Sequence, residues 1–153
     1  MHLRILLLAL LSVNAFAQTA ENAAPIETSQ TFGDYLVLYN AFPALTLPAA
    51  MAANYGIERR NDNALINITV MKKDSAQAAR ISGTYTDLIN VRPLEFREIR
   101  EQNSVSYIAQ VHYNNRETLR FDVQVQPQLP AAQPAPIGSP FKISFTRKFF
   151  TEP

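Results

Sequence analysis

The 153-residue chain contains no cysteine, no tryptophan and only four glycines. Without cysteine the chain forms no disulfide, and a closed zinc site of the usual cysteine and histidine type is excluded. With so few glycines there is no glycine-rich loop of the kind that cradles phosphate groups. A folded domain must therefore be held together by side-chain packing alone, which a chain of this length permits.

Histidine is almost as scarce, with one at residue 2 and one at residue 112. The pattern around His112 places it on an outward, hydrophilic sheet face beside Arg120, which favours a surface role over that of a general base. A copper site would have to combine His112 with Met51 and Met71, which occur at no suggestive spacing, and methionines more commonly fill cores. We therefore predict no catalytic residue, no metal ligand and no cofactor, and we favour a protein that is not an enzyme.

The amino terminus has the pattern of a secretory signal peptide. Arg4 supplies a positive charge, residues 5–11 are uniformly apolar, and residues 15–17 read Ala-Phe-Ala, a small-residue cleavage motif. The apolar run is far shorter than the ~20 residues that span a bilayer, which argues against the alternative of a membrane anchor. We predict cleavage after residue 17, a periplasmic location, and no membrane span in the mature chain.

The charge of the mature chain is balanced. The sequence has 14 basic and 13 acidic residues, and removal of Arg4 with the signal peptide makes the two counts equal. A net charge near zero provides no electrostatic attraction for nucleic acid. We therefore expect no nucleic-acid partner, and we expect a partner, if there is one, to be another periplasmic protein or a small ligand.

Three segments are predicted along the chain: a signal peptide over residues 1–17, a flexible leader over 18–30 and a single β-sandwich domain over 31–153. The leader is rich in Ala, Glu, Thr and Ser and shows no periodicity. The domain opens with a strand over residues 31–42 that is apolar on both faces, so other parts of the chain must cover both sides of it.

A short helix is predicted directly after this strand, between residues 44 and 56. Leu47, Met51 and Tyr55 recur at a spacing of four, which places them on one helical face. We expect that face to lie over the second side of the opening strand.

Period-two alternation predicts most of the remaining strands, over residues 64–71, 80–88, 104–113, 118–126 and 141–149. The strands over 104–113 and 118–126 both carry their apolar side chains at odd positions. They are predicted to pair as a hairpin, with Tyr113 opposite Leu119 and His112 opposite Arg120. The proline-rich segment over 126–140 cannot join a sheet interior, and we expect it to cross from one sheet to another.

One further predicted strand, over residues 92–101, contains a break in phase. Leu94 and Phe96 are apolar at even positions, whereas Ile99 is apolar at an odd position. A β-bulge near Arg97 would restore the phase, because one extra residue reverses the facing of all that follow. About seven strands with one short helix predict an all-β fold, an immunoglobulin-like two-sheet antiparallel sandwich, with a small β-barrel as the alternative.

Three polar residues are candidates for a ligand- or partner-binding site: Asn40, Arg97 and Glu98. Asn40 lies inside the doubly apolar opening strand, and its structural interpretation is a hydrogen-bonded core amide at the turn into Pro43. Arg97 and Glu98 lie at the phase break, where they either turn inward as an ion pair or remain on a solvated edge.

Several blocks of the sequence resemble a known family: Phe32-Gly33-Asp34-Tyr35, Tyr39-Asn40-Ala41-Phe42-Pro43, Tyr55-Gly56-Ile57, Asn67-Ile68, Leu94-Glu95-Phe96-Arg97-Glu98, Tyr107-Ile108-Ala109 and Thr118-Leu119-Arg120-Phe121. They are similar to the domain-of-unknown-function 4426 (DUF4426) family of small exported proteins of Gram-negative bacteria. The Tyr-Asn-Ala-Phe-Pro block is the most specific, and the resemblance covers essentially the whole mature domain. It implies a periplasmic address, and it supplies neither an activity nor catalytic residues.

Two functional hypotheses follow from these observations. The first is a non-catalytic periplasmic binding or protein-interaction module, supported by the sandwich pattern, the balanced charge and the shortage of catalytic side chains. The alternative is a carboxylate-dependent hydrolase or a small-ligand-binding protein with a site around Asn40, Arg97 and Glu98. The alternative requires these three residues to converge.

Overall fold

The computed structural model describes residues 28–128 and 138–151. Within them the strands are β1 Thr28–Phe32, β2 Tyr35–Pro43, β3 Asn63–Lys72, β4 Ser75–Ala76, β5 Ala79–Thr86, β6 Val91–Pro93, β7 Arg97–Glu101, β8 Ser104–His112, β9 Thr118–Pro127 and β10 Phe141–Lys148. A 3₁₀ turn, Ala44–Thr46, and one short helix, α1 Ala49–Asn54, connect β2 to β3.

The strands form two antiparallel sheets. The six-stranded sheet has the order β1-β2-β3-β8-β7, with β4 paired to one end of β3, and the four-stranded sheet has the order β10-β9-β5-β6. The prediction of a two-sheet antiparallel sandwich is therefore confirmed, and the small-barrel alternative is not.

The core between the sheets follows the predicted alternation. Ile66, Ile68 and Val70 of β3 are fully buried on the inner face of the six-stranded sheet, as predicted. Phe121 of β9 is fully buried opposite them, and the ring centroid of Phe145 of β10 lies 4.9 Å from that of Tyr39 of β2, across the core. Because the chain has no cysteine, apolar contact of this kind is the main force that holds the two sheets together.

The predicted hairpin of residues 104–113 with 118–126 is wrong. β8 pairs with β3 and β7 in one sheet, whereas β9 pairs with β5 and β10 in the other. Both strands are apolar at odd positions because they face each other across the core. His112 accordingly lies opposite Asn63 of β3, not opposite Arg120 as predicted.

The predicted bulge near Arg97 is wrong as well. β6 pairs with β5 in the four-stranded sheet, and β7 pairs with β8 in the six-stranded sheet. Residues 94–96 cross between the sheets, and Leu94 is buried in the core on the way. The break in phase marks this change of sheet. Because β6 and β7 belong to different sheets, the alternation of apolar residues in one need not continue into the other.

The proline-rich segment also differs from the prediction. β9 and β10 are direct antiparallel partners, with Phe141 opposite Val125 and Lys148 opposite Thr118. The segment therefore connects neighbours in one sheet instead of crossing between sheets. Its residues 129–137 lie outside the described part of the chain.

Strand β1 begins at Thr28, earlier than the predicted domain start at residue 31, and pairs with β2 across a two-residue turn. The predicted signal peptide, residues 1–17, lies outside the described residues, as does the leader up to residue 27. Over residues 28–128 and 138–151, no helix has the length and apolar character needed to cross a membrane.

The predicted helix is present but shorter. It starts after Pro48, which provides no side-chain cap, and ends at Asn54, after which Gly56 adopts a positive φ of 62°. The predicted helical face is correct in part: Leu47 and Tyr55 pack inward, whereas Met51 is 45% exposed. Ala52, 1% exposed, occupies the inward position instead.

Candidate functional site

The 3₁₀ turn and helix α1 form a cap over part of the outer face of the six-stranded sheet. Beneath the cap a second apolar cluster forms, in which Leu65 of β3 and Ile108 of β8 are buried against Ala44 and Ala52. Phe42 of β2 packs at the edge of this cluster. The helix was predicted to cover the second face of the opening strand, but the cap lies mainly over β3 and β8, and Phe42 is the residue of β2 that packs against it.

Arg97 fastens the cap to the sheet edge. Its Nη2 donates a hydrogen bond to the main-chain oxygen of Tyr55, at 2.9 Å, just beyond the end of helix α1. The hydroxyl of Tyr55 donates in turn to the carboxylate of Glu101 on the same edge strand. A cation at a helix carboxyl terminus is favourable because carbonyl groups are left unpaired there. Arg97 is thus accounted for by a structural contact.

Glu98 lies on the opposite side of the same strand. It pairs with Tyr107, whose side chain enters the main core, so Glu98 is turned to the core side of the sheet edge. Its carboxylate accepts hydrogen bonds from the Arg100 guanidinium and from the Tyr107 hydroxyl. The bond from Arg100, followed by that from Tyr107, holds the pKa of Glu98 below its ordinary value. Both partners stabilise the ionised form of this carboxylate.

The Tyr107 hydroxyl joins the two sheets. It donates to Glu98 Oε2 at 3.0 Å and accepts from the main-chain N–H of Ala79, at the start of β5, at 2.8 Å. Burial raises the pKa of this hydroxyl.

Replacing Tyr107 with phenylalanine is expected to lower the free energy of unfolding by about 1–2 kcal/mol, because the buried N–H of Ala79 loses its acceptor. Urea unfolding of the purified domain measures the change. Tyr35→Phe is the matched control, since no hydrogen bond of the Tyr35 hydroxyl is found among the described residues, and its effect should stay within about 0.5 kcal/mol. An equal loss in both variants would contradict this role of Tyr107.

Asn40 is not the hydrogen-bonded core amide that the sequence favours. It lies on the outer face of β2, directly opposite Asn67 of β3. The side-chain oxygens of both residues are buried and make no hydrogen bond. A buried carbonyl without a donor is uncommon and carries a free-energy cost of about 1–3 kcal/mol. A third buried oxygen with no donor among the described residues, that of Asn63, lies on the same face of β3, where the Asn63 amide nitrogen donates to the main-chain oxygen of Glu58 and to Gln110. Asn40 and Asn67 are the two that lie opposite each other on neighbouring strands.

A pair of hydroxyls lies next to the two amides on the same face. Thr69 of β3 and Ser106 of β8 are opposite each other, with their oxygens 3.1 Å apart. We call the four residues Asn40, Asn67, Thr69 and Ser106 the amide patch. The patch is half-buried, flanked by Leu38 and Met71, and bordered by the cap on one side.

The three candidate residues do not form one site. A single row across the sheet contains Asn40, Asn67, Ile108 and Arg97, in that order. Asn40 and Arg97 thus share a face but lie three strand spacings apart, about 14 Å. Glu98 points to the other face.

Asn67 was not among the site residues predicted from the sequence. It shares a predicted face with Leu65 and Met71, as Asn40 does with Leu38 and Phe42, which was a usable signal. The pairing of the two asparagines depends on the register between β2 and β3, which the sequence does not show.

A small cleft of about 210 Å³ lies at one end of the sandwich, with His112, Asp62, Asp87 and Glu117 in its lining. Each of these carboxylates already has partners: Asp62 binds Arg60 at 2.7 Å, Asp87 accepts from two main-chain N–H groups, and Glu117 accepts from the N–H of Asn114.

The N–H groups of Asn90 and Ile89 hold the pKa of Asp87 below its ordinary value. These donors stabilise the ionised form of Asp87. Over the described ranges, no group of three or more His, Asp or Glu side chains is arranged to hold a metal. Met51 lies on helix α1 and Met71 on β3, away from His112 at the far end of β8.

Comparison with known proteins places the chain among relatives of unknown function. The model of the DUF4426 family, a domain of unknown function, matches residues 29–152. The crystal structure of a DUF4426 family protein from Pseudomonas aeruginosa PAO1 is similar, with 31% identity, a TM-score of 0.69, and coverage of 83% of this chain and 97% of that one. No curated protein matches the chain.

More distant similarity is found to FetP of uropathogenic Escherichia coli strain F11, a protein that was expressed recombinantly in the periplasm. The identity is 11% and the TM-score 0.57, with coverage of 85% of this chain and 97% of FetP. A copper-bound variant of FetP matches at 10% identity, with the same TM-score and coverage of 84% and 97%. At this identity the likeness concerns the fold alone.

Proposed function

Because the chain belongs to the DUF4426 family, whose members have no assigned function, we propose a role from its own surface: a non-catalytic periplasmic module that binds another protein through the amide patch. The observation that carries the proposal is the pair of buried, unpaired side-chain oxygens of Asn40 and Asn67. Within the described residues, no group donates a hydrogen bond to either oxygen.

The chemistry of the patch selects for hydrogen-bond donors. Asn40 and Asn67 lie on neighbouring strands, whose backbones are about 5 Å apart, and side-chain carbonyl oxygens accept hydrogen bonds from N–H groups of an extended segment or of side chains. The hydroxyls of Thr69 and Ser106 add donors and acceptors beside them. Leu38 and Met71 provide half-buried apolar contact at the margin. A small polar centre with an apolar margin is suited to specific binding, since a misplaced partner leaves the amides unsatisfied.

The catalytic alternative loses its basis. It required Asn40, Arg97 and Glu98 to converge, whereas Arg97 is used by the cap and Glu98 is turned to the other face. The end cleft does not replace this site, because its carboxylates are engaged by main-chain and side-chain donors.

The cellular location of the protein and its use of copper do not follow from the amide patch and depend on other observations. The signal-peptide pattern at residues 1–17 supports a periplasmic address. Copper, which is bound in one FetP variant, is not carried over to this chain. Met51, Met71 and His112 are on separate elements, and the fold likeness transfers no ligand.

Site-specific photo-crosslinking in cells tests the binding face. A photoreactive phenylalanine analogue is placed at Leu38 or Met71 beside the patch, and at Ser82 or Gln124 as matched controls on the outer face of the four-stranded sheet. We expect one reproducible crosslinked protein from the first pair of positions and none from the controls. The same product from all four positions, or none from the first two, would count against the proposal.

A paired substitution separates binding from stability. Replacing Asn40 and Asn67 together with leucine is expected to abolish the crosslink at Met71. It should also raise the unfolding free energy by about 1–2 kcal/mol, because two unsatisfied oxygens are replaced by apolar groups of similar size. Urea unfolding provides the second measurement. A residue pair retained only for folding would give the opposite sign, with a loss of stability.

A further inference from the structure

The connection between β5 and β6 exposes an unusual set of aliphatic side chains. Leu88 is 98% exposed, Ile89 is 87% exposed and Val91 is 66% exposed. We call these three residues the apolar tip. Large aliphatic residues are seldom this exposed in a short, ordered connection, and clusters of them commonly mark a contact with another molecule or a membrane.

The tip is held in place by the carboxylate that precedes it. Asp87 Oδ1 accepts hydrogen bonds from the N–H groups of Ile89, at 2.9 Å, and Asn90, at 2.7 Å. The N–H of Asp87 donates to the oxygen of Asn90 at 3.2 Å, which closes the turn. Arg92 lies 3.6 Å from Asp87 on the other side. The exposure of Leu88 and Ile89 is therefore set by a hydrogen-bonded turn.

A second exposed apolar residue and several cations lie at the same end of the sandwich. The register places Thr86 beside Arg120 and Thr118 beside Lys148, so the ends of β5, β9 and β10 are level. Phe150, 55% exposed, follows there with the Lys148 ammonium 5.5 Å from its ring centroid.

We propose that this end of the sandwich docks on a phospholipid bilayer, with Leu88 and Ile89 inserted at the boundary between headgroups and acyl chains. Arg92 and Lys148 then lie at the level of the lipid phosphates. Asp62, Asp87 and Glu117 lie at the same end, and Asp87 is paired with Arg92, so the charges of this end are mixed. Exposed aliphatic side chains with cations close by suit a membrane interface, where the apolar groups enter and the cations stay in the headgroup layer.

Area and shape favour a bilayer over a protein partner. The tip and Phe150 lie toward opposite edges of the four-stranded sheet, and together they present on the order of 500 Å², below the ~800 Å² that each partner contributes to a standard protein interface. The tip is convex, and a fluid bilayer needs no complementary pocket to receive it. Because basic and acidic residues nearly balance, insertion contributes more than charge, and the binding should depend only weakly on salt. This inference does not depend on the amide patch.

The absence of tryptophan makes the test direct, since one introduced tryptophan is the only indole in the protein. Leu88→Trp places it at the tip, and Met51→Trp places it at an exposed position on the cap as the control. Each variant is titrated with vesicles of phosphatidylethanolamine and phosphatidylglycerol. We expect the emission of Leu88→Trp to shift to shorter wavelength and to be quenched by brominated lipid, with no change for Met51→Trp.

Substitution provides the second arm. Leu88→Asp combined with Ile89→Asp should reduce vesicle partition of the otherwise unaltered chain about tenfold or more, whereas Leu45→Asp with Met51→Asp should leave it unchanged. Thermal unfolding confirms that each pair still folds. Absence of the spectral shift overturns the proposal. A shift that appears without vesicles and grows with protein concentration also overturns it, because the tip would then contact a second copy of the chain.

Discussion

Replacing Phe121 with alanine is expected to reduce the free energy of unfolding by about 3–5 kcal/mol. Phe121 is completely buried, and its ring lies 5.0 Å from that of Phe145 and 6.5 Å, edge-on, from that of Phe149. Removal of the ring leaves a cavity where the two sheets meet. Urea or guanidinium unfolding provides the measurement.

Phe150→Ala is the matched control for this change. It removes the same side chain from a position that is 55% exposed, and its effect should stay within about 0.5 kcal/mol. If Phe121→Ala cost as little as Phe150→Ala, the core would have to be able to collapse around the missing ring. The contact between the sheets described above would then be incorrect.

The alternation of apolar residues predicted which side chains face inward, and this part of the fold was predictable because the period of a strand is fixed by its geometry. Ile66, Ile68 and Val70 show the success of that rule. The same rule cannot assign a strand to a sheet. Strands β8 and β9 have matching apolar positions whether they are neighbours in one sheet or face each other across a core.

The same ambiguity explains the misassigned strand over residues 92–101. A bulge and a change of sheet both break the phase of apolar residues, and the sequence alone does not distinguish them. The contacts in the folded structure do. Leu94 is buried in the main core, whereas Ile99 packs beneath the cap. No local pattern reveals that these two residues belong to different apolar clusters.

The candidate site was predictable only in part. Asn40 was conspicuous because a polar residue interrupted an apolar strand, and the structure places it in the amide patch. Asn67 was not singled out, because its importance comes from register with β2. Arg97 was selected for a break in phase, but it binds the Tyr55 carbonyl to fasten the cap. Irregularities in a pattern thus located polar positions, and only tertiary contacts show what each one does.

The cap and the patch together explain why this sheet face is sparsely covered. The cap buries Leu65, and it covers Ile108 in the row that contains Asn40 and Asn67, but the two asparagines of that row stay half-buried beside it. A longer helix would shield the two amides without supplying donors, because helix side chains facing an apolar cluster are themselves apolar. A short cap keeps the amides within reach of a partner.

The second large effect is expected at Gly83, on β5 opposite Val123. A methyl group at residue 83 would lie 2.6 Å from the main-chain oxygen of Asp122 and 3.1 Å from the Cα of Val123. Both atoms belong to the backbone of β9, which is paired on its other side with β10 and cannot retreat. Gly83→Ala should therefore lower the unfolding free energy by about 3 kcal/mol, near the upper end for overpacking.

Gly138→Ala is the control for Gly83→Ala, because a methyl group there meets no atom within 4 Å. Alanine also restricts the unfolded chain more than glycine does, so this control should be neutral or stabilise slightly, by up to about 1 kcal/mol. The same entropic gain acts at residue 83, so a net loss there is smaller than the cost of the steric conflict. If Gly83→Ala behaved like Gly138→Ala, β5 and β9 would have to be able to separate by several tenths of an ångström. Close packing of these two strands would then not be what requires glycine at this position.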